Sequence, residues 1–415
     1  MQMHETDLRI LAEAGIAVFE DRLVLRAQPP VTDEVLAAVA SRCAGPLPGA
    51  LVALWRTTFG GRLHYDLRAD LGGHDVALSF AELFYPDSGA FDDLWGWIDH
   101  ECALAAEHRP DWSGRLVHLP IGGFECYDRV YVRTAEGPDH GAVVAWQEGL
   151  PAGWELVDGD RAGPLARDLR ALFGRLALER DPWEAGNTAD AELRYAVDNL
   201  HDSGDPRVRE TAEKLRRLVR SAVLDWRGAL ERGTLVGQRR LRRLALERAA
   251  VADDLALLER LVASGCDPAE EVGGGLTPVD VALRQRSSTV VRWLVDRGVP
   301  VGNSLRVGAH GVDADLARHL LDRGAAVDAT ALDRALDNDD IAVLQALAAA
   351  VPAEAARSDD GLRRLGLRLR QLAAQAALAG RHCAARSDAS GAAREQRRSE
   401  ILKDLAGRFD PSAAR

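Results

Sequence analysis

The chain has 415 residues, 47% hydrophobic and 28% charged, with a formal net charge of -12. That length suits two or three domains, and the balance excludes a disordered chain. The negative excess is uneven: residues 1–183 hold 29 Asp+Glu against 16 Lys+Arg, and residues 184–415 hold 35 against 36. Such an acidic face repels nucleic acid and anionic membranes; it steers basic partners inward or serves solubility alone.

Five scattered cysteines (Cys43, Cys102, Cys126, Cys266, Cys383) include no Cys-x-x-Cys pair, so neither a disulfide framework nor a zinc knuckle is expected. The polar start, Met1 to Asp7, is unlike a signal peptide, and no run approaches the ~18 apolar residues of a membrane span. A cytoplasmic protein is expected, with neither membrane nor nucleic acid among its partners.

In chain order, Ile16–Phe19 and Leu23–Leu25 are β-like runs around the charged turn Glu20-Asp21-Arg22. Thr32 is placed to cap a helix over Asp33–Ser41. A second helix over Gly49–Thr58 puts Leu51, Leu54, Trp55 and Phe59 on one face, and Gly60-Gly61 ends it. Leu116–Ile121, Arg129–Arg133 and Gly141–Trp146 carry strand patterns, with Gly122-Gly123 read as a turn. A closing helix is predicted over Pro164–Glu179. Seven of the nine tryptophans fall at or before Trp183, so a mixed α+β domain, an antiparallel sheet with flanking helices, is expected over residues 1–183.

These blocks resemble the SUKH superfamily. Leu47-Pro48-Gly49-Ala50, a helix, then Phe59-Gly60-Gly61 is similar to its opening. Leu119–Gly122, Tyr127–Val132 and Gly141–Glu148 follow in the family's order, and Leu165–Leu176 stands where its last helix lies. Tyr127 occupies a position where the family usually carries a small Gly. The resemblance spans roughly residues 47–178 and implies a small α/β domain that binds a cognate bacterial toxin, often a nuclease. It also implies a protein-binding surface around Trp55, Gly60, Gly61, Tyr127, Asp128, Trp146 and Glu148.

Residues 184–238 read as a helical linker or N-terminal cap, with helices over Ala191–Leu200 and Arg207–Glu231. A repeat follows over residues 239–352. Leu261-Val262-Ala263-Ser264-Gly265 recurs one ankyrin-length step on at Leu294–Gly298, and again after a shorter step at Leu320–Gly324. A degenerate copy ends at Leu344–Val351. Thr277-Pro278-Val279-Asp280-Val281-Ala282 resembles the ankyrin signature Thr-Pro-Leu-His-x-Ala, with Val-Asp in place of Leu-His. An all-α ankyrin-like solenoid is therefore expected, because each unit's apolar helix face needs a neighbour to cover it. Residues 353–415 read as capping helices and a partly flexible tail.

Candidate chemistry is sparse. His100-Glu101 and His108 are spaced by two helical turns, too far for one metal ion, and read as a solvated polar face. Asp128 beside Tyr127 and Tyr131, with Glu148 on the next strand, is the best polar-aromatic constellation. It reads either as a binding surface or as a sheet turn with ordinary strand charges, and catalysis is the weakest alternative. Gly72-Gly73 and Gly273–Gly275 lack the endings of phosphate loops and read as turns. Arg239–Leu244, rich in arginine, reads as a solvated helix face. No catalytic residue, cofactor or metal is expected. The function expected is binding a protein partner, a basic toxin domain, with a cytoplasmic adaptor as the alternative.

Overall fold

The computed structural model describes residues 3–86, 88, 93–124, 128–147, 161–184, 187, 191–338, 340–352 and 359–409. The chain divides into two units, Met1–Leu224 and Asp225–Arg415.

The first unit is α+β. In chain order it contains α1 (Glu5–Glu13), β1 (Ile16–Phe19), β2 (Arg22–Leu25), α2 (Asp33–Ser41), α3 (Gly49–Thr57), β3 (Gly61–Arg62), β4 (Leu67–Leu71) and β5 (His74–Leu78). Then come β6 (Glu82–Leu83), α4 (Leu94–His108), β7 (His118–Phe124), β8 (Asp128–Arg133), β9 (Val143–Gln147), β10 (Arg161–Ala166), α5 (Leu169–Arg175), α6 (Ala191–His201) and α7 (Pro206–Ser221). Among the described residues, eight strands form one antiparallel sheet in the order β1-β2-β3-β6-β7-β8-β9-β10, and β4 and β5 form a separate hairpin.

Local chemistry explains most of these elements. The Thr32 hydroxyl accepts from Val35 N at 3.3 Å and starts α2. Asp93 and Asp168 likewise cap α4 and α5. Strand alternation then sorts β8 into two faces. Val130 and Val132 enter the apolar core with Leu23, Leu54, Ile121 and Phe173. Arg129 and Tyr131 point the other way and meet α4.

Three expectations are corrected here. The closing helix is confined to Leu169–Arg175, because Gly163 and Pro164 pair with Ala145 and Val144 as strand β10 and Asp168 interrupts. Gly122-Gly123 is strand interior rather than turn: a Cβ on Gly122 would strike the Glu82 carbonyl, and one on Gly123 would strike that of Asp128. Of the expected 184–238 helical segment, α6 and α7 belong to the first unit, whereas the helix expected over Arg207–Glu231 ends at Ser221 and its last part, Trp226–Glu231, falls in the second. Leu193, Val197, Leu215, Leu218 and Val219 join the core of the first unit. Lys214 of α7 grips the buried Asp7 of α1 at 3.1 Å, and Thr211 donates to the same carboxylate at 2.8 Å.

The second unit is helical. It holds α8 (Trp226–Glu231), α9 (Arg239–Val251), α10 (Leu255–Ala263), α11 (Pro278–Arg284), α12 (Ser288–Asp296), α13 (Leu305–Gly308) and α14 (Ala314–Asp322). It continues with α15 (Ala329–Ala335), α16 (Ile341–Ala350), α17 (Asp360–Ala385) and α18 (Ala389–Phe409). The helices from α9 onward stack in two layers: α9, α11, α13, α15 and α17 pack in succession, as do α10, α12, α14, α16 and α18. Each covers the apolar face of the one before it.

The recurring Leu-rich helix ends fall on α10, α12 and α14, each followed by a glycine with positive φ (Gly265, Gly298, Gly324). The shortened step between Gly298 and Gly324 is explained by α13, a single turn from Leu305 to Gly308. It presses against α11 so closely that a Cβ on Gly308 would overlap Leu283. Thr277 caps α11 in a reciprocal box, its N–H donating to Asp280 Oδ2 at 2.8 Å. The arginines of α9 do not all face solvent. Arg242 donates to Glu270 Oε1 at 2.7 Å, and Arg243 is buried against the same carboxylate at 3.6 Å. They clamp the segment after α10 onto α9, and the solvated-face expectation is corrected accordingly.

Candidate protein-binding surface

The residues singled out in the sequence lie on α3, β3, β8 and β9, and most of them face inward. Trp55 is 2% exposed and meets Phe59 edge-on, with ring centroids 4.9 Å apart. Gly60 and Gly61 sit where the chain leaves α3 and enters β3. A Cβ on Gly60 would overlap the Tyr85 ring; one on Gly61, at φ +141°, would strike Val24 and the Leu25 carbonyl. The pair is required by close packing. Asp128 is buried, and its Oδ2 accepts from Ser79 N at 2.6 Å, tying β8 to the end of the β4–β5 hairpin. Trp146, also 2% exposed, pairs with Arg129 across β8 and β9. Tyr127 and Glu148 lie outside the described residues.

The expected surface around Trp55, Gly60, Gly61, Asp128 and Trp146 is therefore replaced by interior packing. The cause is alternation in a sheet covered on both faces: neither set of side chains along β8 is left outward.

Beneath α4 lies a polar network that the sequence did not disclose. Glu101 Oε1 accepts from Arg129 Nη1 at 3.1 Å and from the Tyr131 hydroxyl at 2.8 Å. Both charged side chains are 1% exposed. The Arg129 guanidinium also lies 4.9 Å over the Trp97 ring, which stacks on Phe84 with a centroid distance of 5.4 Å. Burial pushes the Glu101 carboxyl above its ordinary range, while Arg129 and the Tyr131 hydroxyl pull it back. Burial first, and then the nearby Arg129, lower the His100 imidazole below its ordinary value. Glu101 Oε2 and Arg129 Nη2 have no hydrogen-bond partner among the described residues. The signal available in the sequence was the odd-numbered polar set Arg129, Tyr131 and Arg133 on a strand whose even positions are Asp128, Val130 and Val132.

His100 and Glu101 are thus engaged in packing. His100 meets Trp97 edge-on, 5.7 Å between ring centroids, and Glu101 holds Arg129. Among the described residues, no group of three His, Cys, Asp or Glu side chains is placed to hold a metal ion. No helix among them is long and apolar enough to cross a membrane.

The sheet does present Phe124 outward, 41% exposed at the end of β7 and paired with Asp128 of β8. Glu34, Glu107, Asp111, Glu136 and Asp139 are exposed on the same unit. No protein-family model matches the chain, and no curated protein matches it.

Proposed function

We propose that the chain is an immunity protein of the SUKH kind, which binds a basic, nuclease-type toxin domain and neutralises it by occupying its surface. The observation that carries this reading is a division of labour among the acids of the first unit. Residues 1–224 hold 37 Asp+Glu against 23 Lys+Arg. The buried carboxylates Asp7, Glu101 and Asp128 are committed to internal partners, whereas exposed acids carry the charge excess outward. A field of that sign accelerates encounter with a cationic, phosphate-binding surface and competes with nucleic acid for it. Phe124 supplies an exposed aromatic of the type that anchors such interfaces.

The second unit supports a binding role by another route. Its two-layer stack of helical pairs, left-handed glycine caps and Thr277–Asp280 box fit an ankyrin-type array, which presents an extended surface rather than a reactive cleft. That favours a second reading, a cytoplasmic scaffold joining two proteins.

Capture of partners from the native host by the full chain tests both. A basic toxin domain that co-purifies, and whose lethality on co-expression is relieved by this chain, is the expected result. Phe124→Ser should weaken that complex by at least about tenfold, with the melting temperature unchanged. Capture of signalling proteins alone, with no protection from any toxin, would leave the scaffold reading standing.

A further inference from the structure

The helical unit bears a second feature of opposite sign. Residues 359–409 hold 11 Lys+Arg against 6 Asp+Glu. On α18, Arg394, Arg397, Arg398 and Ile401 fall at i, i+3, i+4 and i+7, one stripe of a helix. This stripe and Ile341, the first residue of α16, line a groove of about 680 Å³, with Glu395 also in its wall. Ile341 and Ile401 are half-buried, so the groove has an aliphatic floor. Arg394 is 3.7 Å from Glu395, while neither Arg397 nor Arg398 has a carboxylate partner among the described residues.

We propose that this groove binds an acidic peptide segment of a partner protein, one carrying an aliphatic side chain flanked by Asp or Glu. The aliphatic chain would rest on Ile341 and Ile401, and the flanking carboxylates would meet Arg397 and Arg398, whose planar guanidinium groups suit bidentate pairing. The volume lies in the range of ordinary ligand sites. The lining favours a peptide over a nucleic acid. It has no aromatic ring on which a base could stack, and Glu395 would oppose a phosphate backbone. The recessed isoleucines, flanked by charge, also fit a side chain better than a lipid surface. Because this site is cationic and the surface proposed for the toxin is anionic, the two select chemically opposite partners.

Titrating the full chain into a fluorescein-labelled peptide that alternates Leu with Asp and Glu tests the proposal by anisotropy. Binding should weaken at least about tenfold in R397Q/R398Q, and also in I401A, which keeps every charge. It should be lost with a peptide in which Gln and Asn replace the acids. R386Q, an exposed arginine outside the groove, should leave binding unchanged, and unaltered far-ultraviolet circular dichroism confirms that each variant folds. Equal losses in R386Q and R397Q/R398Q would reduce the effect to diffuse charge and overturn the proposal. So would indifference to I401A, no binding at all, or tighter binding of a single-stranded oligonucleotide.

Discussion

The guanidinium of Arg129 is held between two side chains of α4, lying 4.9 Å over the Trp97 ring while donating to Glu101 at 3.1 Å. With Tyr131 on the same carboxylate, this joins strand and helix by charge where apolar packing would be usual. Removing one partner leaves the other buried and unpaired, a loss of about 3–5 kcal/mol. Glu101→Gln should therefore destabilise the first unit by that order, read from tryptophan fluorescence in urea. Glu101→Leu combined with Arg129→Met should cost clearly less than the two single changes added together. Strict additivity would mean the pair is not coupled.

The limit of the first unit can be cut and tested. Leu193, Val197, Leu215 and Val219 are fully or almost fully buried in its core, and Lys214 is paired with Asp7. A fragment ending at Leu224 should unfold cooperatively, and one ending at Trp183 should expose that apolar surface and bind a hydrophobic dye. Equal cooperativity of the two fragments would show that α6 and α7 are dispensable.

Gly61 tolerates no side chain. Its φ of +141° and the approach of Val24 and the Leu25 carbonyl predict that Gly61→Ala costs more than about 2 kcal/mol. Gly174→Ala on α5, where a Cβ meets nothing within 4 Å, is the matched control and should be neutral or slightly stabilising. Thermal unfolding separates them.

Acid should weaken the first unit through His118. Burial first, then the charges of Arg133 and Arg109, push its imidazole from 6.5 down to about 4. Between those values the unfolded chain binds the proton and the folded chain does not. Stability therefore rises with pH across the window and falls as pH drops from the upper value towards the lower, by about 3 kcal/mol from this group. His118→Gln should flatten that part of the profile in urea titrations at stepped pH. A slope identical to that of the parent protein would exclude the imidazole as its source.

Local signals were legible where one residue type does one job. Thr32 capped its helix, and the Ile16–Leu25 hairpin and the Leu-rich helix ends with their glycines fell where periodicity put them. The architecture was legible as an antiparallel sheet with helices followed by a helical region. The short strands β3 and β6 were invisible, because two-residue pairings have no period to read. Pro164 misled as a helix start because a prolyl residue also suits the edge strand β10. The candidate surface failed for a deeper reason. Asp128 and Trp146 look like contact residues in a half-exposed sheet, but α4 covers the face that carries Trp146 and Arg129, and the end of the β4–β5 hairpin closes over Asp128 on the other; nothing local to β8 announces elements that lie so much earlier in the chain.

The inward turn of Asp128 separates two kinds of information in this sequence. A motif whose side chains brace a backbone constrains shape and is silent about what the shape touches. Substitution at an outward site such as Phe124 would then change what the unit presents while leaving the scaffold braced by Gly60, Gly61 and Asp128 intact.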